Sequence, residues 1–274
     1  MGNRPRNKAE AQRQGRQLAE RVRQELDLGR AEIRDLATLI ETHFGVDVLL
    51  SPLGHGADGL CAHTPDQALI VASSDFPDGH VRFTLAHELG HHLLDDPREV
   101  IAESGEQMYS EDIIERRVNA FAAHLLLPDS GIREALASIN VTTEELRCGD
   151  NRAQRALGSL MHRFGVSLQA LLFQLADLRV LSFADASHLR SRLRAGQVTT
   201  AHHRLTAAMP DLAAPLADQV SGAVRPPSRL LEAALAAARA EKIGTSVIAT
   251  LLERDDDEAL FDEIMGDGAC TRCR

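Results

Sequence analysis

The chain has 274 residues, enough for one large or two small domains around a buried core. It is 44% hydrophobic, only 3% aromatic and without Trp, and its abundance of Ala, Leu and Arg points to a mainly helical protein. A net charge of −10 argues against a general nucleic-acid binder, because contact with phosphates needs a basic surface.

Residues 1–30 carry eight basic and four acidic side chains and read as a polar, solvated helix or arm with little apolar face. The opening Met1-Gly2-Asn3-Arg4-Pro5-Arg6 has no apolar stretch of a secretory signal, and Arg6 stands where a myristoylation signal needs Ser or Thr. No run approaches the ~18 apolar residues of a membrane span, so the expected location is the cytoplasm. Cys61, Cys148, Cys270 and Cys273 fit reduced thiols; Cys270-x-x-Cys273 is an isolated pair that lacks two further metal ligands.

Ile33, Leu36, Ala37 and Ile40 recur at helical spacing and predict an amphipathic helix over 31–43, stopped by Gly45. Val46–Leu50 reads as a strand, and Gly54, Gly56 and Gly59 mark a loop. Gly59–His63 and Ala68–Ala72 read as paired strands around a Pro65-Asp66 turn. The expected fold is α+β and mainly helical, with a small antiparallel sheet packed on the helix that follows and a helical C-terminal region.

That next helix contains Phe83-Thr-Leu-Ala-His-Glu-Leu-Gly-His-His-Leu-Leu94. Within it His87-Glu88-Leu89-Gly90-His91 fits the H-E-x-x-H pattern of zinc proteases. At 3.6 residues per turn the two histidines project from one face, one turn apart, so both imidazoles reach a single Zn²⁺. Glu88 lies about 100° round the helix, placed to take the proton of an attacking water rather than to ligate the ion. The longer metzincin pattern would need Gly at 94 and His at 97, where the chain has Leu94 and Pro97, so the third ligand comes from elsewhere.

Downstream carboxylates are Glu99, Glu103, Glu106, Glu111, Asp112 and Glu115. The first five fall in an acidic connection where solvated charge is the plain reading. Glu115 opens a helix that Pro128 ends, and shares a face with Val118, Asn119, Ala122 and Leu126. Glu115 is thus the candidate third ligand, with Asn119 one turn on as a hydrogen-bond partner for a ligand histidine. Tyr109 and His80 are candidates by chemistry alone for stabilising an oxyanion. His92 and His124 fall off the metal-facing sides of their helices.

The segments Val81-Arg-Phe-Thr-Leu-Ala-His-Glu-Leu-Gly-His-His-Leu-Leu94 and Glu115-Arg-Arg-Val-Asn-Ala-Phe-Ala-Ala-His-Leu-Leu-Leu-Pro128 together resemble the ImmA/IrrE family of bacterial zinc metallopeptidases. The resemblance spans roughly residues 30–180. It implies that His87, His91 and Glu115 are the metal ligands and that Glu88 is the catalytic base. His80 and His124 depart from the family's usual residues without touching that set. The resemblance further implies a regulatory protease whose protein substrate is a transcriptional repressor of the helix-turn-helix class.

Beyond Pro128 the chain reads as helical throughout. Residues 152–164, the turn Gly165-Val166-Ser167 and residues 168–178 imitate a helix-turn-helix with Ser167 as N-cap. The second of these helices offers no Arg or Lys before Arg179, so packing is the better reading and direct DNA binding is not expected. Residues 183–274 add basic stretches at Arg190–Arg194 and His202–Arg204, a Pro226-Pro227 break, an Ala-rich helix over 228–241 and an acidic run, Asp255–Glu258, that reads as a solvated face. The expected organisation is an arm (1–30), a metallopeptidase domain (31–182, with its catalytic core at 31–128 and a helical part at 129–182) and a helical C-terminal region (183–274). The competing function is a non-catalytic DNA- or protein-binding regulator with a vestigial or structural zinc site. Glu88 weighs against it, since a structural site needs no neighbouring general base.

Overall fold

The computed structural model describes residues 5–54, 58–64, 66–94, 112–193, 222, 224–256 and 258–265, and the backbone of 100–103. Cys270, Cys273, Tyr109, Pro65, Arg194 and His202–Arg204 lie outside the described residues, as do the side chains of Glu99, Glu103, Glu106 and Glu111.

Helix α1 (Lys8–Glu25) starts at Asn7, whose side chain accepts from Glu10 N. The helix is where the sequence places one, but it is not solvated on every side. Ala11, Gly15, Ala19 and Val22 form a buried stripe, and a Cβ built at Gly15 would lie 2.8 Å from both Ala120 Cβ and Phe121 N. The sequence hides this contact because Ala and Gly are small rather than strongly apolar; they permit backbones to approach. Arg23 closes the end of α1 by donating to the carbonyls of Leu125 (2.5 Å), Gly29 (2.9 Å) and Ala31 (2.6 Å). Burial pushes its guanidinium down to about 10, so it remains a cation at neutral pH.

Helix α2 (Leu36–Phe44) begins later than its apolar spacing predicts, because Asp35 accepts from Thr38 N and caps it. Gly45, at φ 66°, ends it in the left-handed conformation that glycine adopts without strain. Strands β1 (Asp47–Ser51), β2 (Gly59–His63), β3 (Ala68–Ser73) and β4 (Val100–Glu103) form one sheet in the order β1-β3-β2-β4. The β2–β3 hairpin is antiparallel as expected, with Gly59 opposite Ala72. The sheet as a whole is mixed rather than antiparallel, since β1 pairs parallel to β3, Val48 beside Ile70. β1 and β2 thus stand two strand positions apart, about 10 Å, with β3 inserted between them.

Helix α3 (Asp78–Leu93) crosses this sheet and is buried on most sides, from Val81 and Arg82 through His91. It is a central helix of the fold. Helix α4 (Ile113–Leu126) packs between α3 and α1. Asp112 accepts from Ile114 N as the N-cap of α4, which accounts for one of the carboxylates considered as a ligand. Helices α5 (Asp129–Ile139), α6 (Thr143–Cys148), α7 (Asn151–Phe164), α8 (Leu168–Asp177) and α9 (Phe183–Arg192) complete the main core. Gly165 ends α7 and Ser167 caps α8, as expected. Eight of the ten residues of α8 are buried, so this helix serves the core.

Ala186, Leu189 and Leu193 join α9 to the first core. Helices α10 (Ser228–Arg239), α11 (Thr245–Leu252) and α12 (Glu258–Met265) enclose a second, small core around Ile248, Leu260 and Ile264. This unit is tied to the sheet. Leu50 and Arg225 exchange two backbone hydrogen bonds of 2.9 Å, and the Arg225 guanidinium donates to Glu41 Oε2 at 2.7 Å. Among the described residues no helix is long and apolar enough to cross a membrane.

Candidate metal centre

Two helices build the site, and a glycine sets how close they come. A Cβ at Gly90, inside the His87–His91 turn, would lie 2.9 Å from Phe121 Cδ1 and 3.3 Å from Val118 Cβ. Any larger residue there would push α4 away from α3. With glycine, Glu115 and Asn119 of α4 reach the two histidines.

The donor atoms converge. His87 Nε2 and His91 Nε2 are 3.0 Å apart, and Glu115 Oε2 lies 3.4 Å from the first and 3.5 Å from the second. A tetrahedral ion with ligands at about 2.0–2.1 Å sets its donors about 3.3 Å apart, so these three atoms occupy the corners such an ion requires. His87 Nδ1–H donates to Asn119 Oδ1 at 2.9 Å, which turns the Nε2 lone pair toward His91 and Glu115. His87, His91, Glu115 and Asn119 are between 2% and 5% exposed, and Glu88 is fully buried. Buried carboxylates beside imidazoles are stable when they pair or coordinate a cation. Two nitrogens and one oxygen suit a divalent ion of borderline softness and leave one position open.

Glu88 sits where α3 meets the start of β2. A Cβ at Gly59 would approach within 3.5 Å of Glu88 Oε1 and would press on Thr84. Gly59 is therefore part of the site's wall, a role no motif in the sequence marks. His80 lies near the start of α3. Its Nε2 is 2.9 Å from Asp58 Oδ2 and its ring stacks on Phe76 at 4.4 Å, two turns before His87, a rise of about 10.5 Å. Asp58, its partner, directly precedes Gly59. His124 points elsewhere, with Nε2 2.9 Å from Asp177 Oδ2 and Nδ1 3.0 Å from Gln174 Nε2. Burial opposes ionisation of Asp177, but the His124 hydrogen bond and charge outweigh it and hold its carboxyl below the usual range.

Residues 41–176, which include both site helices, match the model of the IrrE N-terminal-like domain, a peptidase family. This segment is a domain of that family. It is 34% identical over 147 residues to the radiation response metalloprotease IrrE of Deinococcus radiodurans, a stretch covering 53% of this chain and 40% of that protein. It is 32% identical over 147 residues to the protein of the same description from Deinococcus deserti, covering 53% of this chain and 47% of that one. The chain thus spans less than half the length of these relatives.

Proposed function

We propose that this chain is a zinc-dependent endopeptidase in which His87, His91 and Glu115 hold the ion and Glu88 is the general base. The observation that carries this reading is the convergence of three donor atoms from α3 and α4 within 4.8 Å of one another, with Glu88 one residue along from the first histidine. Support also comes from the family and from relatives described as metalloproteases.

When bound, zinc polarises a peptide carbonyl and makes an attacking water more acidic, toward a pKa of about 7. The protein's own groups do the rest. Glu88 accepts the water's proton as the new C–O bond forms and delivers it to the departing amine as the C–N bond breaks. Asn119 keeps His87 in the tautomer whose Nε2 can ligate. Gly59 leaves room for the Glu88 carboxylate beside β2.

The proposed substrate is a transcriptional repressor of the helix-turn-helix class, cut to release the genes it silences. Such a repressor has a basic DNA-binding surface, and a chain of net charge −10 is electrostatically suited to meet it. The reaction would then take place in the cytoplasm. The test is incubation of the zinc-loaded protein with candidate repressors, with and without chelator. Chelator-sensitive cleavage is expected. An uncut repressor together with DNA binding at moderate salt would favour a non-catalytic regulator instead.

A further inference from the structure

We infer that helix α1 braces the metal centre and that Gly15 is its positioning residue, fixing where α4 holds Glu115 and Asn119 against α3. This rests on the metal-binding reading above. Helix α1 lies wholly outside the segment 41–176 that matches the family model, so nothing in that match assigns it a role.

The geometry links α1 to the ligands in one step. Gly15 faces the Arg117 carbonyl, Ala120 Cβ and Phe121 N. Arg117 lies between Glu115 and Asn119 in sequence, and Phe121 is the residue whose ring contacts Gly90 between the two histidines. On the helical wheel Arg117, Ala120 and His124 stand about 150° from the Glu115 and Asn119 face. Gly15 of α1 meets α4 on its Arg117–Ala120 side and Gly90 of α3 meets it on its Val118–Phe121 side, about a quarter turn round the helix, so the two glycines together set where α4 sits.

Polar contacts keep the brace in register. The Arg117 guanidinium donates to Gln14 Oε1 at 3.2 Å. Gln12 Nε2 donates at 2.8 Å to Asp177 Oδ1, whose other oxygen pairs with His124 of α4. Arg23 holds the carbonyl of Leu125 at the far end of the same helix. Sliding or rotating α4 along α1 breaks these contacts together. A methyl group at position 15 forces the two helices apart by on the order of 1 Å, more than the ~0.5 Å within which a site keeps its productive geometry.

The experiment uses the full chain and Zn²⁺ alone as ligand. Gly15→Ala is compared with Gln17→Ala, an exposed position on the same helix, by chelator competition for Zn²⁺, by the visible absorption of the Co²⁺-loaded protein and by thermal melting. Gly15→Ala is expected to weaken zinc binding about tenfold or more and to alter the cobalt spectrum, while Gln17→Ala changes neither. A double variant, Gln12→Ala with Gln14→Ala, removes the register contacts without adding volume, and serves if Gly15→Ala does not fold. It is expected to weaken zinc binding in the same direction. If the folded variants melt earlier yet keep wild-type zinc affinity and cobalt spectrum, α1 is only part of the core and the inference is overturned. A wild-type chain that binds no zinc overturns the metal-binding reading itself, and the inference with it.

Discussion

Asn119 Oδ1 accepts a hydrogen bond of 2.9 Å from Nδ1 of His87, across the contact between α4 and α3. One helix thus supplies both a candidate ligand, Glu115, and the group that aims a ligand of the other helix. Asn119→Ala should lower zinc affinity by about 10–100-fold, the usual effect of losing such an orienting partner. Chelator competition measures it. Unchanged affinity would mean that His87 needs no help to face the ion.

Glu88→Gln removes the proton acceptor while keeping the side chain's shape. The variant should bind zinc with the wild-type stoichiometry and lose cleavage by about 10²–10⁴-fold or more. Turnover near the wild-type rate would remove Glu88 from the base role.

Gly59→Ala should be felt in both stability and activity. The added Cβ meets the Val71 carbonyl at 2.9 Å and presses on Thr84, one turn before Glu88 on α3. Overpacking of this kind costs about 1–3 kcal/mol, which chemical denaturation would detect. A neutral effect on stability would show that the start of β2 can yield.

Acid should loosen the tie between the C-terminal unit and the sheet. Burial opposes ionisation of Glu41, but hydrogen bonds from Arg225 and Ser228 outweigh it and hold its carboxyl below the ordinary range. A depressed carboxyl stabilises the fold above its unfolded pKa, about 4.3, and that contribution disappears as pH falls through the lower folded value. Amide exchange at Leu50 and Arg225, corrected for intrinsic rate, should show constant protection from neutrality to about pH 5 and a loss below about pH 4. In Glu41→Gln this step should vanish. Protection that persists to pH 3 in the wild type would contradict the role given to this ion pair.

The parts of the site carried by local periodicity were legible in the sequence. Two histidines one turn apart on α3, and Glu115 in helical phase with Asn119 on α4, needed only the geometry of a helix. The paired strands at Gly59–His63 and Ala68–Ala72 were readable for a similar reason, since a hairpin joins neighbours. Parallel pairing of β1 with β3 was not, because alternation marks a strand but not which neighbour inserts beside it. The burial of α1 was hidden in Ala11, Gly15 and Ala19, which carry little hydropathy and act by letting α4 approach. Arg225 and Glu41 are 184 residues apart, and nothing local announces such a pair. The contact of His80 with Asp58, 22 residues earlier, was not legible either, because spacing along a helix says nothing of what a neighbouring strand brings.

The most direct test of the metal centre is a zinc titration of the full chain, repeated with His91→Ala and with Cys270→Ser plus Cys273→Ser. One tight site per chain is expected, abolished in the histidine variant and intact in the cysteine variant. A tight site that survives His91→Ala would contradict the assignment of the ion to His87, His91 and Glu115.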